Sequence, residues 1–430
     1  MADPLRIGII GLGTVGGGVL KLLSDNAALI AARAGRPLSV VAVSARNRGR
    51  DRGADLSAID WEDDPVALAR RDDIDIVVEA IGGEDGPAKA AVEAALGAGR
   101  HVVTANKAML AHHGQALAEM AEARGAALRF EGAVAGGIPC VKALGEGLAG
   151  NRIARVMGVL NGTCNYILTR MEAEGAPYAD ALAAAQRLGY AEADPAFDVG
   201  GVDAAHKLAL LAALAFGTRV DFANVKTEGI DQISLADIEH AAEMGYRIKL
   251  LGVARLHEDG LEQRMQPCLT PAASPIGKLD GVTNMVVLEG DAVGRIVQEG
   301  PGAGAGPTAS AIVADLIDIA RGARTPAFGV PAATLRAAPR AIGRAPAAYY
   351  LRLALRDEPG VLATVAAALG AEGVSIHQMR QTAGDSQGDE ATVLITTHET
   401  RREKLDAALA TIAASNVETG PPVAIRIEQV

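Results

Sequence analysis

The sequence predicts an α/β chain in three parts: a doubly wound parallel sheet, an α+β domain and a small ferredoxin-like unit. Three observations carry that prediction. From Leu5 to Ala133, short apolar runs alternate with alanine-rich helical stretches, the rhythm of βα units winding a parallel sheet. From Gly137 to Gly322 the pattern lengthens into longer helices mixed with alternating strands, which reads as a separate substrate domain. From Tyr349 the order is strand, helix, strand, strand, helix, strand, a βαββαβ unit.

In the first part, strands are expected at residues 5–10, 38–43, 74–78, 101–105 and 127–130. Gly11-Leu12-Gly13-Thr14-Val15-Gly16 follows the first of them directly and opens a helix toward Leu23. The spacing has a mechanical cause. Gly11 permits the tight turn, Gly13 lets the backbone approach a pyrophosphate, and Gly16 lets helix and strand pack closely. Freed amides and the helix dipole then face the phosphates. A Rossmann-type dinucleotide site is therefore expected here, although the same glycines could form a turn with no ligand. After the second strand the chain reads Val43-Ser44-Ala45-Arg46-Asn47-Arg48. A carboxylate at this point would hold the ribose hydroxyls of NAD, whereas arginine accommodates a 2′-phosphate. Arg46 and Arg48 thus favour NADPH, with NADH use still possible; the alternative is a solvated basic loop.

In the second part, residues 202–216 form a helix that is apolar nearly all round beyond Lys207, so it should be buried. Asp203 and Lys207 stand four apart on one of its faces. On an exposed helix they would be an ordinary ion pair. On a buried one, a lysine with a nearby carboxylate can be tuned as a proton donor, and the pair reads as catalytic. The loop leading into this helix crowds Glu192, Asp194 and Asp198 together; it could hold an ammonium group or be a solvated acidic turn. Lys107 follows a parallel strand, at the end of the sheet where ligands bind. The stretch from Phe130 to Pro139 is a glycine-rich hinge whose carbonyls could also bind a cation. Near Asn161-Gly162-Thr163 a helix starts, capped by Asn161 or Thr163, and Cys164 reads as a packed thiol rather than a nucleophile because no histidine partners it nearby. Strands are expected near 248–256 and 285–288.

Residues 323–347 carry Pro326, Pro331, Pro339 and Pro346 with little periodicity, and read as a linker. Beyond it the final unit is expected as strand 350–355, helix 360–370, strands 374–381 and 391–397, helix 401–414 and strand 423–428.

Composition excludes several classes of function. The formal charge of −11, with no dense Lys/Arg run, argues against nucleic-acid and membrane partners. Cys140, Cys164 and Cys268 are odd in number and lack CxxC spacing, so they are expected as reduced thiols. No secretion signal and no long uncharged apolar run is visible, and a cytoplasmic enzyme is expected.

Taken together, several segments in one order resemble the homoserine dehydrogenase family. They are Gly11 to Gly16, Val78-Glu-Ala-Ile-Gly-Gly83, Thr104-Ala-Asn-Lys-Ala108, Val134-Ala-Gly-Gly-Ile-Pro139, Leu160 to Ile167, Gly189-Tyr-Ala-Glu-Ala-Asp-Pro195, Asp203-Ala-Ala-His-Lys207 and the glycine turn from Gly300 to Thr308. The resemblance covers residues 5 to about 325. It implies NADPH-dependent reduction of L-aspartate 4-semialdehyde to L-homoserine, with Lys207 as proton donor and Lys107 beside the nicotinamide, assisting or taking that role. It further implies that Glu192 and Asp203 hold the substrate's amino group, that Asp198 supports the site, and that Thr104, Gly189 and Gly304 contact the cofactor. Glu131, Val134, Gly136 and Ile138 would bind a sodium ion, largely through carbonyls. Domain boundaries follow at 1–136, 137–322 and 348–430, with 300–322 returning to the cofactor domain and the middle domain also serving dimerisation. The last stretch, with Asp357, Pro359, Gly360, Val361, Leu362, Ser375 and Ile376, resembles an ACT domain, which implies an amino-acid effector, threonine first, and a homodimer or homotetramer. Ser375 stands where some ligand-binding ACT domains carry Asn, which leaves the effector's identity open.

Overall fold

A computed structural model describes residues 3–50, 52, 55–341, 343, 345–383 and 390–429. The first sheet contains β1 (Leu5–Ile10), β2 (Leu38–Ser44), β3 (Asp60–Trp61), β4 (Ile76–Glu79), β5 (His101–Thr104) and β6 (Leu128–Arg129), all parallel, in the order β3-β2-β1-β4-β5-β6. The order reverses between β1 and β4, so the crevice beyond their carboxyl ends is the expected ligand site. The strands read as unbroken apolar runs because both faces are covered. Ile7 and Ile9 enter a core with Val19 and Leu20 of helix Thr14–Asp25, whereas Ile10 joins one with Ala91 and Leu110 on the opposite side. Helix Ala305–Ala320, late in the chain, returns to pack on Thr14–Asp25; its Ile312, Leu316 and Ile319 complete the first of these cores.

The second sheet holds β7 (Ile153–Val159), β8 (Lys226–Thr227), β9 (Tyr246–His257), β10 (Gly260–Pro271), β11 (Thr283–Gly290), β12 (Gly294–Pro301), β13 (Tyr349–Arg356), β14 (Ile376–Ala383), β15 (Glu390–Thr397) and β16 (Val423–Ile427). Its order is β12-β11-β7-β9-β10-β16-β13-β15-β14, with β8 alongside β10. The ferredoxin-like unit is therefore continuous with the middle domain: β16 pairs in parallel with β10 at Cys268↔Arg426 and Leu269↔Ile427. The seam is a buried charge cluster. The Glu428 carboxylate accepts bonds from Arg155, Arg255, Arg264 and Arg426; burial would raise it, but the guanidiniums hold it at about 2.

The described part of residues 323–347, expected as a linker, lies against the body. Phe328 is buried on Phe130, with ring centroids 5.3 Å apart, and single bridges join Thr218 to Arg336 and Leu261 to Arg340. Proline removed the periodicity without removing the apolar anchors. Among the described residues no single helix is long and apolar enough to cross a membrane.

Helix Val202–Phe216 matches its expected bounds, and its residues from Asp203 to Leu214 are all buried. It packs on β7, β9 and β10 and, on its other side, on helix Lys107–Ala123. That placement brings the middle domain's ionic residues against the cofactor unit.

Candidate active site

A cleft of about 730 Å³ opens where the two units meet. The glycine turn reaches the cleft at Val15, with Gly11, Gly13, Thr14 and Gly16 outside its lining. Gly11 has φ +94°, and a Cβ there would meet the Ala80 carbonyl oxygen at 2.5 Å. At Gly16 a Cβ would lie 1.9 Å from the Gly11 carbonyl oxygen, and at Gly18 it would lie 2.6 Å from that of Ala305. At Gly13 it would meet nothing within 4 Å. The turn is thus packed everywhere except on the side where a ligand would come. No side chain caps helix Thr14–Asp25 or helix Ala305–Ala320, so the amides of the first turn stay available for phosphate. These features fit a nicotinamide dinucleotide.

One wall of the cleft is charge. The Asp203 carboxylate takes the Lys207 ammonium at 2.7 Å on one oxygen and the Lys107 ammonium at 3.0 Å on the other. Burial would raise Asp203, but the two lysines hold it well below the usual carboxylate range. Lys207 also donates to the Leu160 carbonyl at 2.8 Å. The Asn161 amide donates to Asp198 at 2.9 Å and to Asp203 at 3.4 Å. Asp198 moves the opposite way, raised by burial and by neighbouring Asp203 despite the Asn161 bond. Two carboxylates on one amide are thus pushed apart, the pattern that separates acid from base roles.

Lys107 reaches this wall because its helix starts there. Asn106 caps the helix through the Met109 amide and donates to the Gly83 carbonyl. Thr104 receives the Asn106 amide on its hydroxyl and donates to Glu79. Thr104 is fully buried beneath the cleft, so its side chain shapes the Lys107 turn rather than lining the cavity. Val15, Lys107, Gly136, Gly189, Asp198, Asp203, Lys207 and Gly304 do line it. Leu12 points into the core. Glu192 is exposed and outside the lining, and its carbonyl accepts from Gln186. Arg46 is exposed; Arg48 lies over the Trp61 ring at 5.3 Å and donates to the Trp61 carbonyl.

Cys164 is fully buried, donates to the Asp198 carbonyl and is pushed well above the usual thiol range by burial. It is a packed thiol, not a nucleophile. The helix cap is Asn161, through the Cys164 amide; Thr163, expected only as the alternative cap, instead donates its hydroxyl to the Tyr190 carbonyl at 2.7 Å and lines the cleft, as does Asn284, which sequence reasoning missed. Asn284 is 1% exposed and sits beside Thr283 at the start of β11, just before the apolar Met285 to Leu288; an amide leading into a buried apolar run was its signal.

Glu131, 2% exposed, accepts the Val141 and Lys142 amides. Burial and Asp315 push it up to about 7. Ala135 and Gly136 are both left-handed, with φ +52° and +54°. Among the described residues no backbone amide donates to the Val134 or Gly136 carbonyl, while the Ile138 carbonyl takes the Cys140 amide. The Val134 carbonyl also receives the Cys140 thiol and Lys142 lies near Glu131; the carboxylate and the Gly136 carbonyl are oxygens of the kind that suit a hard ion such as sodium. In the final unit, Asp357, Pro359, Gly360, Val361 and Leu362 line a cavity of about 180 Å³ with Gln381, which donates to Asp357. Ser375 and Ile376 lie outside it.

Comparison with known proteins matches this architecture part by part. Residues 11–131 match the homoserine dehydrogenase NAD-binding domain, 139–317 the homoserine dehydrogenase domain and 349–414 the ACT domain. Homoserine dehydrogenase from Pseudomonas aeruginosa is 44% identical over 437 residues, covering 99% of both chains. The chain belongs to the homoserine dehydrogenase family. Its members are NAD(P)-dependent oxidoreductases, and so is this enzyme. The Neisseria gonorrhoeae homoserine dehydrogenase is likewise 44% identical, over 99% of both chains. The crystal structure of the Thiobacillus denitrificans homoserine dehydrogenase superposes with a TM-score of 0.94 at 43% identity, covering 99% of this chain and 98% of that one. A hyperthermophilic archaeal homoserine dehydrogenase in complex with NADPH covers 73% of this chain and 97% of its own, with a TM-score of 0.63 at 26% identity.

Proposed function

We propose that this homoserine dehydrogenase reduces L-aspartate 4-semialdehyde to L-homoserine with NADPH, Lys207 delivering the proton to the aldehyde oxygen. The carrying observation is the Lys107–Asp203–Lys207 arrangement in the cleft that Val15 of the glycine turn also lines. When bound, the reduced nicotinamide supplies a hydride to the aldehyde carbon. Lys207 spends two of its three N–H bonds on Asp203 and Leu160, and the third serves the substrate. Asp203 keeps that lysine fixed and takes part in holding the substrate's ammonium. Asp198 and Asn161 fix Asp203, and Lys107 balances its second oxygen and flanks the nicotinamide. Glu192, on its exposed loop, closes on the ammonium when substrate enters. The cofactor is held at Gly11, Gly13, Thr14, Val15, Gly16, Gly189 and Gly304, and Arg46 and Arg48 take the 2′-phosphate, with NADH the weaker substitute. The NADPH complex of the archaeal relative supports that preference.

A sodium ion at Glu131, Val134 and Gly136 would add positive charge beside the buried carboxylate. The cofactor domain comprises residues 1–136 with 300–322 returning to it, the substrate domain 137–322 and the ACT domain 348–430. Threonine acting at the Asp357–Leu362 turn regulates turnover, and paired ACT domains assemble a homodimer or homotetramer. The test is NADPH oxidation with L-aspartate 4-semialdehyde, repeated with NADH and with added threonine. Turnover faster with NADPH than with NADH and lowered by threonine is expected; cofactor binding without turnover would contradict the reading.

A further inference from the structure

A second cleft, of about 560 Å³, lies between the substrate domain and the ACT sheet; it shares no lining residue with the active site or with the Asp357 turn, whose cavity takes the alternate residues Gln381 and Val393 of the same strands. Register defines one side. Tyr350 pairs with Thr396 and Thr396 with Gln378; Arg352 pairs with Leu394 and Leu394 with Arg380. These six residues share the sheet face opposite the ACT helices. Helix Leu235–Glu243 covers only the inner part of that face. Its Asp237 is fully buried and accepts from the Tyr350 hydroxyl at 3.1 Å and from Arg352 at 2.7 Å. Farther out the helix and sheet diverge. His240, Glu243 and Met244 stand across the cleft from Leu394, Thr396 and Arg380, and an ion pair between Arg380 and Glu243 spans its mouth. Both members of that pair are more than half exposed, at 60% and 53%, so holding it closed stabilises little.

We propose that this cleft binds a free α-amino acid as its zwitterion, the carboxylate on Arg380, the ammonium on Glu243 and the side chain between Met244 and Leu394. A ligand with one charge would separate the ion pair and satisfy only half of it, whereas a zwitterion replaces both partners at once. Behind the mouth, Nδ1 of His240 is buried and has no hydrogen-bond partner among the described residues. A buried polar atom left unpaired is costly, and a polar ligand atom relieves it. Because one wall belongs to the substrate domain and the other to the ACT sheet, occupancy bears directly on how the two are held.

This site and the Asp357 turn fail separately. Calorimetric titration of the full-length protein with L-threonine, L-isoleucine and L-methionine tests it, with L-threonine amide and N-acetyl-L-threonine as probes lacking one charge. At least one zwitterion binds, the singly charged probes do not, and Arg380→Gln and Glu243→Gln each weaken binding about tenfold or more, the scale of a lost charge-assisted bond. Both substitutions lie outside the catalytic cleft, so unchanged turnover without effector verifies folding. No binding of any zwitterion to the wild type, or binding unchanged in both variants, overturns the proposal. Binding lost in Asp357→Ala but kept in both glutamine variants overturns it while sustaining the turn as the effector site.

Discussion

The glycine turn beside the active-site cleft and the charged wall within it are built on opposite principles. The glycine turn is backbone whose shape depends on absent side chains: Gly11, Gly16 and Gly18 each leave a carbonyl within 2.6 Å of where a Cβ would stand. The chemistry wall is side chain, and its shape depends on charge balance, one buried carboxylate between two ammoniums. A backbone turn is specified by a short run of residues next to one another. A charge wall draws on Lys107, Asn161, Asp198, Asp203 and Lys207, which only the packing of helix Val202–Phe216 on helix Lys107–Ala123 brings together. The first should break by steric intrusion and the second by neutralisation.

The largest effect is expected at Gly16. In Gly16→Ala the new methyl meets a carbonyl oxygen at 1.9 Å, and displacing that turn should weaken NADPH binding by about a hundredfold. Gly13→Ala sharpens the contrast. Its methyl meets nothing in the protein, so the melting temperature should hold while NADPH affinity, read by fluorescence titration, falls. Asp203→Asn tests the charge wall. It leaves the buried Lys207 and the half-buried Lys107 without their carboxylate and should destabilise the fold by about 3 kcal/mol in denaturant titration; an unchanged midpoint would mean that the balance is unimportant.

A smaller effect is expected from sodium. Glu131 sits at about 7 in the fold against an ordinary 4.5, so the folded protein holds this proton more tightly than the unfolded chain. The stability tied to that proton is complete below the ordinary value and lost as pH rises through the folded one. Replacing choline by sodium at constant ionic strength should therefore raise the melting temperature by about 2 °C near pH 8 and not near pH 5. The smallest concerns His206, buried against Phe222, Phe197 and His112 with both ring nitrogens unpaired among the described residues. Burial lowers it to about 4 from 6.5. The folded state refuses this proton, and the associated stability, complete above 6.5, is lost as pH falls toward the folded value. In His206→Leu the acid-side decline in melting temperature should shrink, with little change at neutral pH.

The same contrast explains what could be read from the sequence. The glycine turn, the parallel strands and the buried helix with Asp203 and Lys207 are local patterns, and all were legible. The second contact of Asp203, to Lys107, was not, because it is a tertiary event 96 positions away in numbering, 203 − 107. Nor was the continuity of β10 with β16, since strand pairing across domains leaves no local mark. Thr104 reads as a site residue by its neighbourhood, yet its hydroxyl is consumed by Glu79 and the Asn106 amide. Residues 323–347 read as a linker because prolines hide an anchor such as Phe328.

The central claim is that Lys207 acts in chemistry while the glycine turn acts in binding. Single-turnover reduction of L-aspartate 4-semialdehyde by Lys207→Met, with NADPH binding measured on the same preparation, tests it most directly. The account predicts a rate lower by a hundredfold or more, about the scale of a lost acid catalyst, with cofactor affinity unchanged. A rate within about tenfold of wild type, too small for that loss, or a matching loss of NADPH affinity, would contradict it.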